Sequence, residues 1–315
     1  MDAYRLCKGI LFLLLAVIGI PGNCAVLTSY VRIAWFKKKL FPAEKIISAL
    51  AFVNTVMILT RGLPYTLFSL GAEDLFNKVG CQSILYISRV SRAMAIGLTC
   101  LLSCFQLITV SPAASRLAQM KNCASKYLVV IIISILFLNL ILCYCSVIYA
   151  IPKTNTTNME FTFDLGYCIL KFWSEAAYHG YGLILLARDL FFVILMGLAS
   201  AAILFVLYQH RQHVKQIRSN RFPSEQDIEW KAAKAVVGLA SMYVFFFGIE
   251  NTIFLVTMTG NKVNPVVSDA RIFFSICYAS VFPIVVIATN SKVRKQLNCE
   301  AQENETETYS TSYTI

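Results

Sequence analysis

Two arginines stand inside an apolar segment long enough to cross a membrane. The stretch from Cys81 to Pro112 reads CQSILYISRVSRAMAIGLTCLLSCFQLITVSP and carries Arg89 and Arg92 near its beginning. A guanidinium group in hydrocarbon is costly, so an intramembrane arginine points to a polar interior, an internal acid or a ligand. Other apolar stretches hold Arg61, Arg188, Asp189 and Glu250. The chemistry open to such a set is ion pairing, together with recognition of a carboxylate or sulfate by guanidinium groups. An ion pair such as Arg89 with Glu250 accounts for part of the charge. The four arginines outnumber the two acids, so a small ligand bearing an anionic group is expected. Arg61, Arg89, Arg92, Asp189 and Glu250 are its expected contacts. Tyr65, Phe68, Tyr86, Tyr181, Phe246, Phe247 and Phe254 are the aromatic residues expected to supply apolar walls.

Helical spacing puts these charges together. Arg89, Arg92, Thr99, Ser103 and Gln106 recur at intervals that keep one face of a helix, and that face should look into a bundle rather than at lipid. Thr99, Ser103 and Gln106 read as hydrogen-bonding groups between helices. Arg89 follows Cys81 by eight residues, Glu250 precedes Met258 by eight and Arg61 precedes Ser69 by eight. At 1.5 Å per residue each lies about 12 Å deep. The internal charges therefore gather at one level, in the outer half of the expected bundle.

The elements that position them are membrane spans. Hydrophobic residues make up 57% of the 315 and charged ones 14%, an excess of apolar surface that a soluble core of this size cannot hide. Seven runs, at about Gly9 to Val31, Lys45 to Phe68, Cys81 to Val110, Tyr127 to Ile151, Leu183 to Tyr208, Ala232 to Met258 and Arg271 to Asn290, are each long enough to span as helices. Their continuity is unlike the alternation of a membrane β-barrel. The fold class expected is an all-α membrane protein, a seven-transmembrane helix bundle over residues 1–290. Residues 291–315 are expected to form a tail with a short juxtamembrane helix followed by disorder.

Basic residues orient the bundle. Arg32, Lys37, Lys38, Lys39 and Lys45 follow the first run, Arg116, Lys121 and Lys126 the third, and Arg211, Lys215, Arg218, Arg221, Lys231 and Lys234 the fifth; Lys292, Arg294 and Lys295 follow the seventh. The opposite loops hold fewer, Arg5, Lys8, Lys78, Lys153, Lys171 and Lys262. The positive-inside rule puts the amino terminus outside and the carboxyl terminus in the cytoplasm, with the first run an uncleaved anchor. The net charge of +11 is thus a matter of topology and not of nucleic-acid binding.

This topology places only Cys7, Cys81 and Cys168 of the 11 cysteines on or near the oxidising side. Cys81 and Cys168 are the expected disulfide, two separate thiols the alternative, and Cys7 is left over. Asn155, Thr156 and Thr157 form a glycosylation sequon on the same side, and Cys299 after Lys295 is a candidate for palmitoylation. No cysteine spacing suggests a metal, no cofactor is implied, and His179, His210 and His213 lie in loops or at span ends, so no enzyme is expected. The seventh run has no mid-span lysine for a retinal Schiff base and the runs show no repeat of the transporter kind.

The seven spans, Gly22 and Asn23 in the first, and the Cys81–Cys168 pair resemble the rhodopsin-like receptors. Their usual signatures are missing: the third run ends in Gln106, Leu107, Ile108, Thr109 and Val110, the second carries Asn54 where many relatives have aspartate, and Phe282–Pro283 stands without Asn-Pro-x-x-Tyr. Those departures match one group. LAFVN from Leu50, TRGLP from Thr60, RVSR from Arg89, TCLLSCFQ from Thr99, SPAAS from Ser111 and RDLFFVILM from Arg188 resemble the vomeronasal type 1 receptors, on the side of the class A olfactory receptors of fish. The resemblance implies a G protein-coupled receptor in the plasma membrane of chemosensory neurons. It would bind a small odorant or pheromone and act through a heterotrimeric G protein of the Gi or Go type, with the segment from Gln209 to Lys231 as part of the contact. A bitter-taste-type receptor is the nearest alternative and a small membrane transporter a more distant one.

Overall fold

The computed structural model describes residues 3–37, 40–72, 74–112, 119–153, 161–217, 226–259 and 265–298. Asn155, Lys262, Cys299 and much of the SPAAS segment fall outside them, as do residues 218–225. Seven helical stretches have the length and apolarity of membrane spans. The first is α1 (Ala3–Lys37); the second is α2 (Pro42–Met57), a π-helical turn (Ile58–Gly62) and α3 (Leu63–Ser69); the third is α4 (Lys78–Val110). The fourth joins α5 (Lys121–Cys143) to α6 (Cys145–Tyr149), and the last three are α7 (Glu175–Ile217), α8 (Gln226–Thr259) and α9 (Pro265–Thr289). A short helix, α10, covers 291–298.

The third span is the central post. In its most apolar window 67% of residues are buried, against 17% for the fourth and fifth spans, whose outward faces present Ile141, Leu198 and Phe205. Such faces suit lipid, because every backbone group is already bonded within the helix. Close contact between the first and seventh spans depends on Gly22, where a Cβ would lie 2.8 Å from Pro283 Cγ. The neighbouring Asn23 amide donates to the carbonyls of Gly19 (2.7 Å) and Ala279 (2.9 Å), tying the two helices together.

The bundle is not purely helical. The fourth span stops short of the expected Ile151: from Ala150 the chain forms β1 (Ala150–Pro152), which with β2 (Thr162–Asp164) and β3 (Cys168–Lys171) makes an antiparallel sheet in the order β1-β3-β2. Three-residue strands carry too little alternation to be read from sequence. A Cys81–Cys168 disulfide, Cα atoms 5.8 Å apart, fastens β3 to the start of α4. The turn from β2 to β3 needs Gly166, whose φ is +89° and whose Cβ would meet Phe68 at 2.9 Å. Asp164 Oδ1 accepts the Gly166 N–H at 2.7 Å and holds that turn.

At the end away from the sheet, Glu44 accepts the Phe41 N–H (2.9 Å) at the start of α2 and pairs with Lys292 (2.7 Å) on α10. Asn290 donates to the Tyr30 hydroxyl at 2.8 Å. The seventh span is thereby joined to the first and second at the point where α10 begins.

Candidate functional site

The buried charges meet just beneath the sheet. The π-helical turn adds a residue to one turn of the second span and ends that segment with Arg61 inside the bundle. Pro64 follows, and having no N–H it leaves the Thr60 carbonyl without its helical donor. The Tyr167 hydroxyl, from the loop between β2 and β3, bonds that carbonyl at 3.3 Å. Burial pushes the Tyr167 phenol up to about 12, against the opposing pull of Arg61 and Arg89, so it remains a donor at neutral pH.

Arg92 is the hub. Its Nε donates to both Glu250 oxygens (2.9 and 3.0 Å), Nη1 to Asp189 and Nη2 to the Asn251 side-chain oxygen (3.2 Å). Arg61 reaches Glu250 at 3.4 Å and Ser275 at 3.1 Å. Arg188 folds onto its neighbour Asp189 (2.7 Å) and donates to Asn139 at 3.3 Å. Each acid is thus shared by two arginines, which links the second, third, fifth and sixth spans in one chain of ion pairs. Both carboxylates are buried, so the paired guanidinium groups stand in for the water that burial removes.

Glu250 therefore pairs with Arg92 and Arg61 and not, as the sequence suggested, with Arg89. Arg89 lies three residues nearer the sheet, about one helical turn, and turns to aromatic rings. Its Cζ is 5.5 Å from the Tyr181 centroid and 6.0 Å from that of Phe163, and its Nε is buried without a hydrogen-bond partner. Below Arg92 the packing becomes aromatic. Phe247 lies under its guanidinium (5.1 Å) and stacks on Tyr243 (4.2 Å), which packs edge-on to Tyr278. Tyr278 shares a hydrogen bond with Thr99 (3.0 Å), as expected between helices, whereas Ser103 bonds the Thr99 carbonyl of its own helix.

A cavity of about 50 Å³ opens among these groups, and Arg61, Arg89, Arg92, Asp189 and Glu250 all line it. Arg188, Asn251, Arg271, Leu165, Leu185 and Phe254 complete most of its wall. Of the aromatic residues expected there only Phe254 lines it; Tyr181 and Phe247 lie one layer back, beneath arginines, and Tyr86 instead bonds the Leu140 carbonyl. Sequence reasoning missed Arg271, left aside as a span boundary, together with Asn251, Ser275 and Asn139. An asparagine in the apolar fourth run was a legible signal for the last. Five guanidinium groups thus face two carboxylates, a larger imbalance than four against two. The space holds a few waters. A molecule of ordinary ligand size, in sites of roughly 300–1,000 Å³, enters only if Leu165 and the loop above give way.

A profile of the vomeronasal organ pheromone receptor family matches residues 7–299. Olfactory receptor class A-like protein 1 of Danio rerio is 35% identical over 306 residues, covering 97% of this chain and 96% of that protein. Vomeronasal type-1 receptor 3 of Homo sapiens is 30% identical, covering 76% and 77% of the two chains. The crystal structure of squid rhodopsin superposes with a TM-score of 0.72 over 94% of this chain and 85% of that one; at 16% identity it speaks for the fold alone. With the same bundle, and with sequence likeness running through all seven spans, the chain belongs to the vomeronasal organ pheromone receptor family.

Proposed function

We propose that this multi-pass receptor detects a small odorant or pheromone that enters the cavity beneath the sheet, and that it passes the signal to a Gi or Go protein at the opposite end. Its place is the plasma membrane of chemosensory neurons, with the amino terminus and the sheet outside. As a member of a receptor family the chain is not an enzyme, and the bitter-taste and transporter readings give way to this one. The observation that carries the reading is the buried chain of ion pairs around the cavity, closed over by a disulfide-tethered sheet. A charged cavity against an aromatic floor offers a ligand both polar orientation and apolar area. Arg61, Arg89, Arg92, Asp189 and Glu250 act there together, as contacts or as the frame that holds the contacts.

Signalling needs two bundle states that ligand and G protein bind with different affinity. The stack from Arg92 through Phe247, Tyr243 and Tyr278 to Thr99 connects the cavity with the third, sixth and seventh spans. The test is expression in cultured cells with a screen of small acids, steroids and amines, read as inhibition of cAMP synthesis. A response abolished by pertussis toxin supports the Gi or Go assignment. A response that survives the toxin and appears only through other G proteins overturns it.

A further inference from the structure

The arginines of the cavity fall into two groups. Arg61, Arg92 and Arg188 each have a carboxylate partner, whereas Arg89 and Arg271 have none among the described residues. Both lie instead against one pair of rings. Arg271 Cζ is 4.9 Å from the Phe254 centroid, Arg89 Cζ is 6.0 Å from that of Phe163, and the two rings are 5.3 Å apart. Both arginines line the same cavity, and Arg89 keeps a buried, unbonded Nε. A guanidinium held over an aromatic face is oriented by it while the N–H groups on its edge remain free to donate.

We propose that Arg89 and Arg271 form a two-arginine subsite for the carboxylate of a small organic acid, and that Arg61, Arg92 and Arg188 are the frame around it. This rests on the cavity being the ligand site. The two acids of the cavity are already engaged by Arg61, Arg92 and Arg188, so two of the three surplus positive charges are at Arg89 and Arg271, which have no carboxylate of their own among the described residues. A ligand carboxylate accepts charge-assisted hydrogen bonds from both and offsets one of their two charges, while its apolar part lies against Phe254 and Leu165. A flat carboxylate of three heavy atoms suits a space of about 50 Å³ better than a tetrahedral phosphate does. Arg271 comes from the first turns of the seventh span and Arg89 from the third, so a bound acid bridges the two helices that also meet lower down at Tyr278 and Thr99.

The experiment compares butyrate, hexanoate and benzoate with the matching alcohols and amines on cells displaying the full-length receptor, its surface level measured through an amino-terminal epitope. The wild-type receptor is expected to respond to at least one acid more strongly than to its alcohol. Arg89→Gln or Arg271→Gln should each weaken the acid response about ten- to hundredfold, and by clearly more than the response to the matching alcohol. Arg89→Lys and Arg271→Lys keep the charge but not the fork, and should lie between. If a glutamine variant fails to reach the surface, its lysine counterpart decides. Acid potency unchanged in displayed R89Q/R271Q, or in both lysine variants, overturns the subsite, as does a wild-type receptor that answers only alcohols or amines; the receptor reading survives either result. A displayed receptor that answers nothing in the panel or in the wider screen of acids, steroids and amines overturns both.

Discussion

Glu250 is the residue on which the ionic layer turns. It holds Arg61 and Arg92 at once, and its side chain is 3% exposed, so water cannot replace it. Glu250→Gln leaves Arg61 without a carboxylate in a low-dielectric interior and Arg92 with Asp189 alone, and removing one partner of a buried pair costs about 3–5 kcal/mol. We expect a marked fall in surface display and in the thermal stability of the detergent-solubilised receptor, larger than for Asp164→Asn, whose partner Lys153 is exposed. Equal effects of the two substitutions would show that the layer is not structural. The charges were legible in the sequence because each interrupts an apolar run, and helical spacing placed them at one depth. Their partners were not. Whether Arg89 or Arg92 meets Glu250 depends on the relative rotation of the third and sixth spans, to which a single helix's periodicity is blind. Arg271 escaped notice for a related reason: at the end of an apolar run an arginine looks like a boundary, whereas the helix begins six residues earlier, at Pro265, and carries it inside.

Among the elements, the long helices follow from run length alone, because only a helix satisfies its backbone across hydrocarbon. Two local devices do not. The π-helical turn at Ile58–Gly62 and the short sheet both depend on contacts made by distant segments: Tyr167 reaching Thr60, and Cys168 reaching Cys81. The Cys81–Cys168 bridge was legible from the side on which those cysteines fall, but neither it nor Pro64, which leaves a helical carbonyl in need of another donor, foretold a sheet or Tyr167 as that donor. Gly166 permits the turn that brings Tyr167 and Leu165 over the cavity. Valine there has both a disfavoured positive φ and a Cβ only 2.9 Å from the edge of the Phe68 ring. Gly166→Val should therefore displace the loop and lower ligand potency by about tenfold or more, with surface display reduced less, since the substitution touches none of the ion pairs among the spans. Dose-response curves normalised to surface level test this, and unchanged potency would remove the loop from the binding event.

At the scale of the whole molecule, the question is which end faces out. The sheet, the disulfide and the ionic layer lie at one end; the Glu44–Lys292 pair and α10 lie at the other, next to Arg294 and Lys295. Lysines and arginines are most frequent in the segments joined at that second end, and we propose that it is the cytoplasmic one, since such residues are held on that side during insertion. They also draw anionic lipid, at about 1 kcal/mol for each residue close to the surface. Cys299 follows α10 in the sequence, and palmitoylation there, which we propose, would pin the tail to the same leaflet. The sequon at Asn155 falls in the sequence between β1 and β2, and only a lumenal and later extracellular segment can have it glycosylated. Antibody to an amino-terminal epitope should stain intact cells, and antibody to a carboxyl-terminal epitope only permeabilised ones. Asn155→Gln should abolish a glycosidase-sensitive shift in mobility. The two measurements are independent, because the first follows the ends of the chain and the second the segment that joins β1 to β2. Reversed staining with no glycan on Asn155 would put the cavity in the cytoplasm, and an external odorant would then have no path to the arginines.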